Sequence, residues 1–241
     1  MATLEWATLL VCCAALILRV PDAVRGRNRT VFGILLLATV CSVLAVTAVY
    51  TVIDGALGGR HVTSLILRYL VFATVLLVGL RLTRGLGDAR AYALIAGVPG
   101  RWALALCSVA VLVAFLLMDT AGAPAGLQVP STDSNATVAP YFTAAGRTYP
   151  AYVSLVLVPP LLSAVRGRQP RLVRTGALLV LLGAVFAILT LPVSLVPAGG
   201  LHFVNYAAVL GYVGGLILFW FSGLIAAPSG NAKATLRRNR G

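Results

Sequence analysis

Residues 62–80 read VTSLILRYLVFATVLLVGL, an apolar run of 19 residues with one charged side chain, Arg68. An α-helix rises about 1.5 Å per residue, so a helix over this run spans most of the hydrocarbon core of a bilayer, which is about 30 Å thick. Six other apolar runs have a similar length, and they lie at residues 4–19, 31–53, 102–118, 151–166, 174–196 and 203–226. The sequence therefore predicts an all-α, polytopic membrane protein with seven transmembrane helices.

The composition favours the same fold class. Of the 241 residues, 60% are apolar and only 10% are charged, and the formal net charge is +13. Few water-soluble domains are this apolar, and a chain with so many apolar residues is not of the disordered class. A nucleic-acid-binding domain carries its cations on a folded polar surface, whereas here they lie between apolar runs. We therefore expect no nucleic-acid partner.

The positions of the cations predict the orientation of the chain. Only Arg60 and Arg147 fall on one predicted side of the membrane. The opposite side has four basic groups, at residues 19–29, 81–101, 166–174 and 233–240. By the positive-inside rule, the N-terminus is outside and the C-terminus is cytoplasmic. The Arg-dominated usage, with a single Lys, is typical of high-GC bacteria, so the expected location is the bacterial cell (inner) membrane.

An internal repeat is predicted from two short matches. Ala23–Arg27 recurs as Ala164–Arg168, and the same offset of 141 residues pairs His61 with His202. A true repeat makes the first three and the last three spans two bundles in the same orientation. The predicted organisation is a first bundle, a central region with a cytoplasmic loop, a linker helix and an outer loop, a second bundle, and a basic cytoplasmic tail. These segments cover residues 1–80, 81–150, 151–226 and 227–241.

A charged side chain inside a span is a candidate functional site. Arg68 lies about six residues, or roughly 9 Å, inside its span. On the same helical face, Ser64 and His61 are one and two turns nearer the outer end. A matching polar stripe begins the last span, and together the stripes predict an outward-facing vestibule for a small anionic ligand. Its lining residues are His61, Ser64, Arg68, His202, Asn205 and Tyr206.

A structural ion pair is the alternative role of Arg68. Three acidic residues lie near the predicted outer face and are candidate partners: Glu5, Asp54 and Asp119. A long arginine side chain also extends toward the interface, which lowers the free-energy cost of its burial. The sequence alone leaves the ligand and ion-pair roles open.

Small residues in the last span predict close helix packing. Gly211 and Gly215 form a GxxxG motif, and Ala207 extends this face by one turn. Such a face allows two helix backbones to approach closely. Packing within the chain is the simplest role, and a homodimer contact is the alternative.

Catalytic, metal and cofactor sites are not predicted. The two histidines have no third metal ligand near them, and the only lysine, Lys233, lies in the tail rather than in the last span, where a retinal protein needs it. Ser222 lies near the opposite membrane face from both histidines, which excludes a serine–histidine protease site. A phosphate-binding loop is also absent from the sequence. We expect no enzymatic activity, no cofactor and no metal.

Two resemblances follow from these residues. The run Asp54–Gly58, with His61, Leu65 and Arg68 after it, resembles a loop of actinobacterial seven-helix membrane proteins classed as transporters, as does Tyr149–Tyr152. Those proteins usually have His at the position of Arg68. The three-plus-one-plus-three layout also resembles SWEET and PQ-loop transporters, although their Pro-Gln motif is absent. Both resemblances imply an inner-membrane protein with seven helices, and neither assigns a substrate.

The leading functional hypothesis is a small-molecule carrier or ligand-binding protein with its site in the outer vestibule. The alternative is a non-catalytic subunit that docks a partner membrane protein or secreted protein through the outer loop, residues 119–150, and the last span. The near absence of polar side chains at the predicted midplanes keeps this alternative open. In either case the chain is surrounded by the lipid bilayer.

Overall fold

The computed structural model describes residues 2–25, 29–118, 138–193 and 202–222, and every regular element in that part of the chain is a helix. The predicted all-α class is therefore confirmed for the described residues. The helices are α1 Ala2–Val24, α2 Arg29–Ala45, α3 Thr47–Ala56, α4 Val62–Leu86, α5 Ala89–Ala96, α6 Val98–Leu116, α7 Val138–Arg166, α8 Arg171–Val193 and α9 His202–Phe221.

Four helical segments of the described chain are long and apolar enough to cross a membrane. They are Val62–Leu86, Ala89–Leu116, Val138–Arg166 and Arg171–Pro192, and the bent pair α2–α3 is a fifth if it forms one span. Their outward faces carry large apolar side chains; on α6, for example, Trp102, Leu106 and Leu116 are each more than 60% exposed. Such faces suit a lipid environment. The fold is that of a multi-pass membrane protein.

The span expected at residues 31–53 is divided in the structure. Helix α2 ends at Ala45, Val46 has an extended conformation, and α3 leaves at an angle of 87°. The bend places the side chains of Tyr50 and Asp54 against the start of α4, where both form hydrogen bonds. The pattern of apolar residues within 31–53 does not reveal this bend, because the groups that hydrogen-bond to Tyr50 and Asp54 lie outside that segment, at the start of α4.

Helix α7 is longer than the span expected at residues 151–166. It begins at Val138, so residues 138–150 are helical rather than part of an outer loop. Pro150 lies inside the helix and removes only the hydrogen bond to the carbonyl group of Gly146. A transmembrane helix tolerates this loss where neighbouring groups contact the freed carbonyl. The short helix expected between Leu86 and Ala96 is present as α5.

The helices pack mainly against their neighbours in sequence. Helix α2 packs between α1 and α4, α8 packs between α7 and α9, and the contact between α4 and α7 joins these two groups. Arg68 and Gly79 of α4 lie against Gly146 and Val153 of α7, so the two helices run in the same direction. At their interface, the ring centroids of Phe72 and Tyr149 are 5.2 Å apart.

Helices α8 and α9 approach through their glycines. A methyl group on Gly211 would lie 2.7 Å from Cα of Gly183, and one on Gly215 would lie 2.8 Å from the carbonyl oxygen of Gly176. The GxxxG face of α9 is therefore covered by α8, and it is not open to a second chain. Ala207, one turn earlier on α9, is half-buried.

We predict that Gly211→Ala lowers the melting temperature of the detergent-solubilised protein, because the added methyl group separates the α8 and α9 backbones. Overpacking of this kind costs about 1–3 kcal/mol. Gly214→Ala is the matched control: its methyl group would meet only a side-chain carbon of Leu179, at 3.6 Å. Both variants gain the same helix propensity, about 1 kcal/mol. Equal melting temperatures for the two variants would contradict the predicted packing.

Candidate functional site

The site begins at the turn between α3 and α4. Both carboxylate oxygens of Asp54 accept hydrogen bonds from backbone N–H groups, Oδ2 from His61 at 3.1 Å and Oδ1 from Thr63 at 3.2 Å. His61 has a φ of +56°, in the left-handed region that non-glycine residues rarely adopt. Asp54 thus caps the N-terminus of α4 and holds the turn in this conformation.

Side chains at this turn form a buried polar cluster. The Tyr50 hydroxyl lies 3.1 Å from Nδ1 of His61, and Ser64 is within hydrogen-bonding reach of the same hydroxyl. Tyr50 is completely buried, and His61 and Ser64 are each at most 5% exposed. Two of the six predicted vestibule residues, His61 and Ser64, therefore lie together, in contact with Tyr50 and not with solvent.

Arg68 lies one turn deeper on α4 and is held by α7. Its guanidinium carbon is 4.0 Å from the centroid of the Phe142 ring, which is a cation–π contact. The guanidinium also lies against Gly146, where any side chain would occupy the same space. The Nε atom of Arg68 is buried and has no hydrogen-bond partner among the described residues.

Two further buried polar atoms also have no partner in the described part of the chain. They are the hydroxyl groups of Thr63, near the start of α4, and of Tyr149 on α7. The Tyr149 ring contacts the ring of Phe72, which is one turn beyond Arg68 on α4, with the two ring planes tilted by 53°. An unsatisfied buried polar group costs about 1–3 kcal/mol. Each such atom is a point at which an additional hydrogen-bonding group would be stabilising.

Arg147 brings a second positive charge to the same end of the helices. Its Nη1 donates a hydrogen bond of 2.8 Å to the carbonyl oxygen of Thr190, in the last turn of α8. A cation is favourable at a helix C-terminus, so this contact gives Arg147 a structural role. Arg147 is also close enough to Arg68 for their charges to repel each other.

The acidic residues expected to pair with Arg68 lie elsewhere or outside the described residues. Asp54 binds the backbone at the start of α4, and within the described ranges no ion pair joins it to Arg68. The Glu5 side chain and Asp119 are outside the described residues. Where the structure describes the surroundings of Arg68, they consist of an aromatic ring, a glycine and a second arginine.

The second polar stripe does not meet the first among the described residues. Helix α9 contacts α8 and α1, whereas α4 contacts α7. Tyr206 is half-buried on α9, and the side chains of His202 and Asn205 are outside the described residues. The groups against Arg68 come instead from Phe142 and Gly146. Neither residue is predicted from the sequence, because both fall in a segment expected to be a loop, although the charge of Arg147 beside them is a visible signal.

Other potential sites are few. In the described ranges, no three His, Cys, Asp or Glu residues cluster as metal ligands would. Arg68 lines neither of two cavities that lie between the described helices. A ligand at Arg68 is therefore limited to a small group held by the guanidinium itself.

Comparisons with known proteins give no match: no protein-family model, no curated protein and no solved structure is significantly similar to this chain.

We predict that Gly146 and Arg68 are energetically coupled. Gly146→Ala displaces the guanidinium from the Phe142 ring, so it lowers the melting temperature in the wild-type background. In the Arg68→Ala background, the same change is neutral or stabilising, because the space is empty and alanine favours the helix by about 1 kcal/mol. A double-mutant cycle on thermal unfolding in detergent measures the coupling, which we expect to be about 1 kcal/mol.

Gly33→Ala in α2 is the control, since its added methyl group would have no neighbour within 4 Å. It reports the helix-propensity gain alone. Additive effects of Gly146→Ala and Arg68→Ala would show that the guanidinium does not occupy the space beside Gly146.

Proposed function

We propose that the chain is a carrier or ligand-binding protein of the bacterial inner membrane, and that it binds a small anion at Arg68. The observation that supports this proposal is the environment of the guanidinium. It lies between Phe142 and Gly146, its Nε atom lacks a partner among the described residues, and a second cation, Arg147, is close enough to repel it.

The electrostatics favour an anionic ligand over other occupants. A buried arginine beside a second arginine is destabilised by desolvation and by repulsion. A bound carboxylate, phosphate or sulfate relieves both effects, because the guanidinium donates parallel hydrogen bonds to planar or tetrahedral oxyanions. The hydroxyl group of Tyr149, which has no partner among the described residues, offers a further donor on α7, one turn after Gly146.

The topology that accompanies this proposal has seven spans with the N-terminus outside. The apolar segments Trp6–Pro21 of α1 and Tyr206–Phe219 of α9 serve as the first and last spans, and α2–α3 serves as one bent span. The parallel course of α4 and α7 supports one part of this arrangement. Two spans run in the same direction when an odd number of spans lies between them, so α6 crosses the membrane and the short helix α5 does not. Arg68 and Arg147 then lie toward the outer face.

Alternating access would use the two helix groups as moving bodies. Helices α1–α4 and α7–α9 each pack internally. The two groups meet where α4 contacts α7, the interface at which Arg68 lies, and where α1 contacts α9. A carrier built from parallel repeats moves one bundle against the other around such a site. The predicted repeat of 141 residues supports the same division of the chain.

We predict that a small anion stabilises the protein through Arg68. The assay is thermal unfolding in detergent with acetate, succinate, inorganic phosphate or sulfate at constant ionic strength, because a ligand raises stability in proportion to its binding. At least one anion raises the melting temperature of the wild type. Arg68→Gln weakens that binding by about tenfold or more, as expected for a hydrogen bond to a charged group.

Arg60→Gln is the matched control, because Arg60 is exposed in the turn before α4 and carries the same charge. Its response to each anion should equal that of the wild type. An unchanged response in Arg68→Gln, or no response of the wild type to any of the four anions, would contradict the ligand role. Co-purification of a stoichiometric partner protein would then favour the docking-subunit hypothesis.

Reporter fusions test the proposed orientation. Green fluorescent protein fused after Gly87 or after Gly167 should fluoresce, because it folds in the cytoplasm. Alkaline phosphatase fused after Gly59 should be active, because it requires export. The reversed pattern would place Arg68 near the cytoplasmic face and contradict an outward-facing site.

A further inference from the structure

The guanidinium of Arg68 has one edge that no described residue occupies. The group lies over the ring of Phe142, and Gly146 lies against its Nη1, Cζ and Cδ atoms. The opposite edge carries Nε and Nη2, whose N–H groups point in the same direction and suit two oxygen atoms of one oxyanion. Neither atom donates a hydrogen bond within the described ranges, and Nε is buried.

Arg147 brings a second guanidinium close to the first. It follows Gly146 directly on α7, so its side chain starts next to the residue that contacts Arg68. Its Nη1 donates a hydrogen bond to the carbonyl oxygen of Thr190, which uses one of the five N–H donors of the guanidinium. The other donors remain available to a ligand, since no further described residue accepts from them.

The acidic side chains that the structure describes do not neutralise this pair of arginines. They are Asp54, which accepts hydrogen bonds from backbone N–H groups at the start of α4, and Asp88, which caps α5 beyond the far end of α4. The charges of Arg68 and Arg147 are close enough to repel each other. A monovalent anion balances one of the two charges, whereas a divalent anion balances both.

We propose that Arg68 and Arg147 together select a divalent tetrahedral oxyanion, such as sulfate or hydrogen phosphate, over monovalent anions. Two oxygen atoms of the ligand accept hydrogen bonds from Nε and Nη2 of Arg68, and a third accepts one from Arg147. This inference rests on the anion site proposed at Arg68, and it makes Arg147 the residue that determines selectivity for ligand charge. The bond to Thr190 holds the Arg147 side chain in place for this role.

The test compares sulfate with methanesulfonate, because both are tetrahedral at sulfur and only sulfate has a second charge and a fourth oxygen atom. Binding of radiolabelled sulfate to the full chain in detergent is measured directly, with unlabelled methanesulfonate as the competitor at constant ionic strength. We expect the wild type to bind sulfate about tenfold more tightly, the effect of one more hydrogen bond to a charged group. Arg147→Gln should abolish this preference. Arg60→Gln is the control, since it removes an exposed charge and should retain the preference.

Two measurements keep the result decisive if Arg147→Gln folds poorly. The wild-type comparison needs no variant, and Arg147→Lys retains the charge and should retain most of the preference. Equal binding of the two anions to the wild type, or a sulfate preference that persists in Arg147→Gln, would overturn the proposal. If Arg68→Gln weakens the binding of both anions in that case, anion binding at Arg68 still stands. If no anion binds the wild type, both proposals fail.

Discussion

A hydrogen-bonding group inside a bilayer has no water to solvate it, so the protein must supply its partner. Hydroxyl groups in the described helices follow this constraint closely. Thr39, Ser42, Thr74 and Thr83 each donate a hydrogen bond to the carbonyl oxygen four residues earlier in their own helix. Between helices, Tyr69 donates to the carbonyl oxygen of Ser108, and the hydroxyl groups of Ser154 and Tyr212 are 2.7 Å apart. The polar groups that lack such partners are therefore the exceptions that need an explanation.

The charged groups show the same constraint with larger energies. Asp54 is 3% exposed, and it is stabilised by two backbone N–H groups at the start of α4. Arg147 is stabilised by a carbonyl group at the end of α8. Arg68 has an aromatic ring and a glycine beside it. The proposed function assigns a small anion to Arg68 as the partner that the described residues do not provide.

Sequence reasoning predicts the parts of this fold that depend on composition and not the parts that depend on distant contacts. The long apolar run around Arg68 predicts α4, and a charge within that run identifies the candidate site. The bend at Val46 is not predictable in this way, since it accompanies hydrogen bonds that join Tyr50 and Asp54 to the start of α4. The role of Gly146 is not predicted, because Pro150 indicates the start of a helix and so places Gly146 in the preceding loop. In the structure, Pro150 lies inside α7 and Gly146 is helical. Likewise, the motif in α9 predicts close packing, but only the structure identifies Gly183 of α8 as its partner.

The central claim is that the guanidinium of Arg68 binds an anion rather than a carboxylate of the chain. A crystal structure of the protein grown with bromide in place of chloride tests this claim most directly, because bromide is located by its anomalous scattering. The account predicts a bromide peak within hydrogen-bonding distance of the Arg68 guanidinium, on the side away from the Phe142 ring. A carboxylate of Glu5, Asp54 or Asp119 in that position, with no bromide, would contradict the account and make Arg68 a structural ion pair.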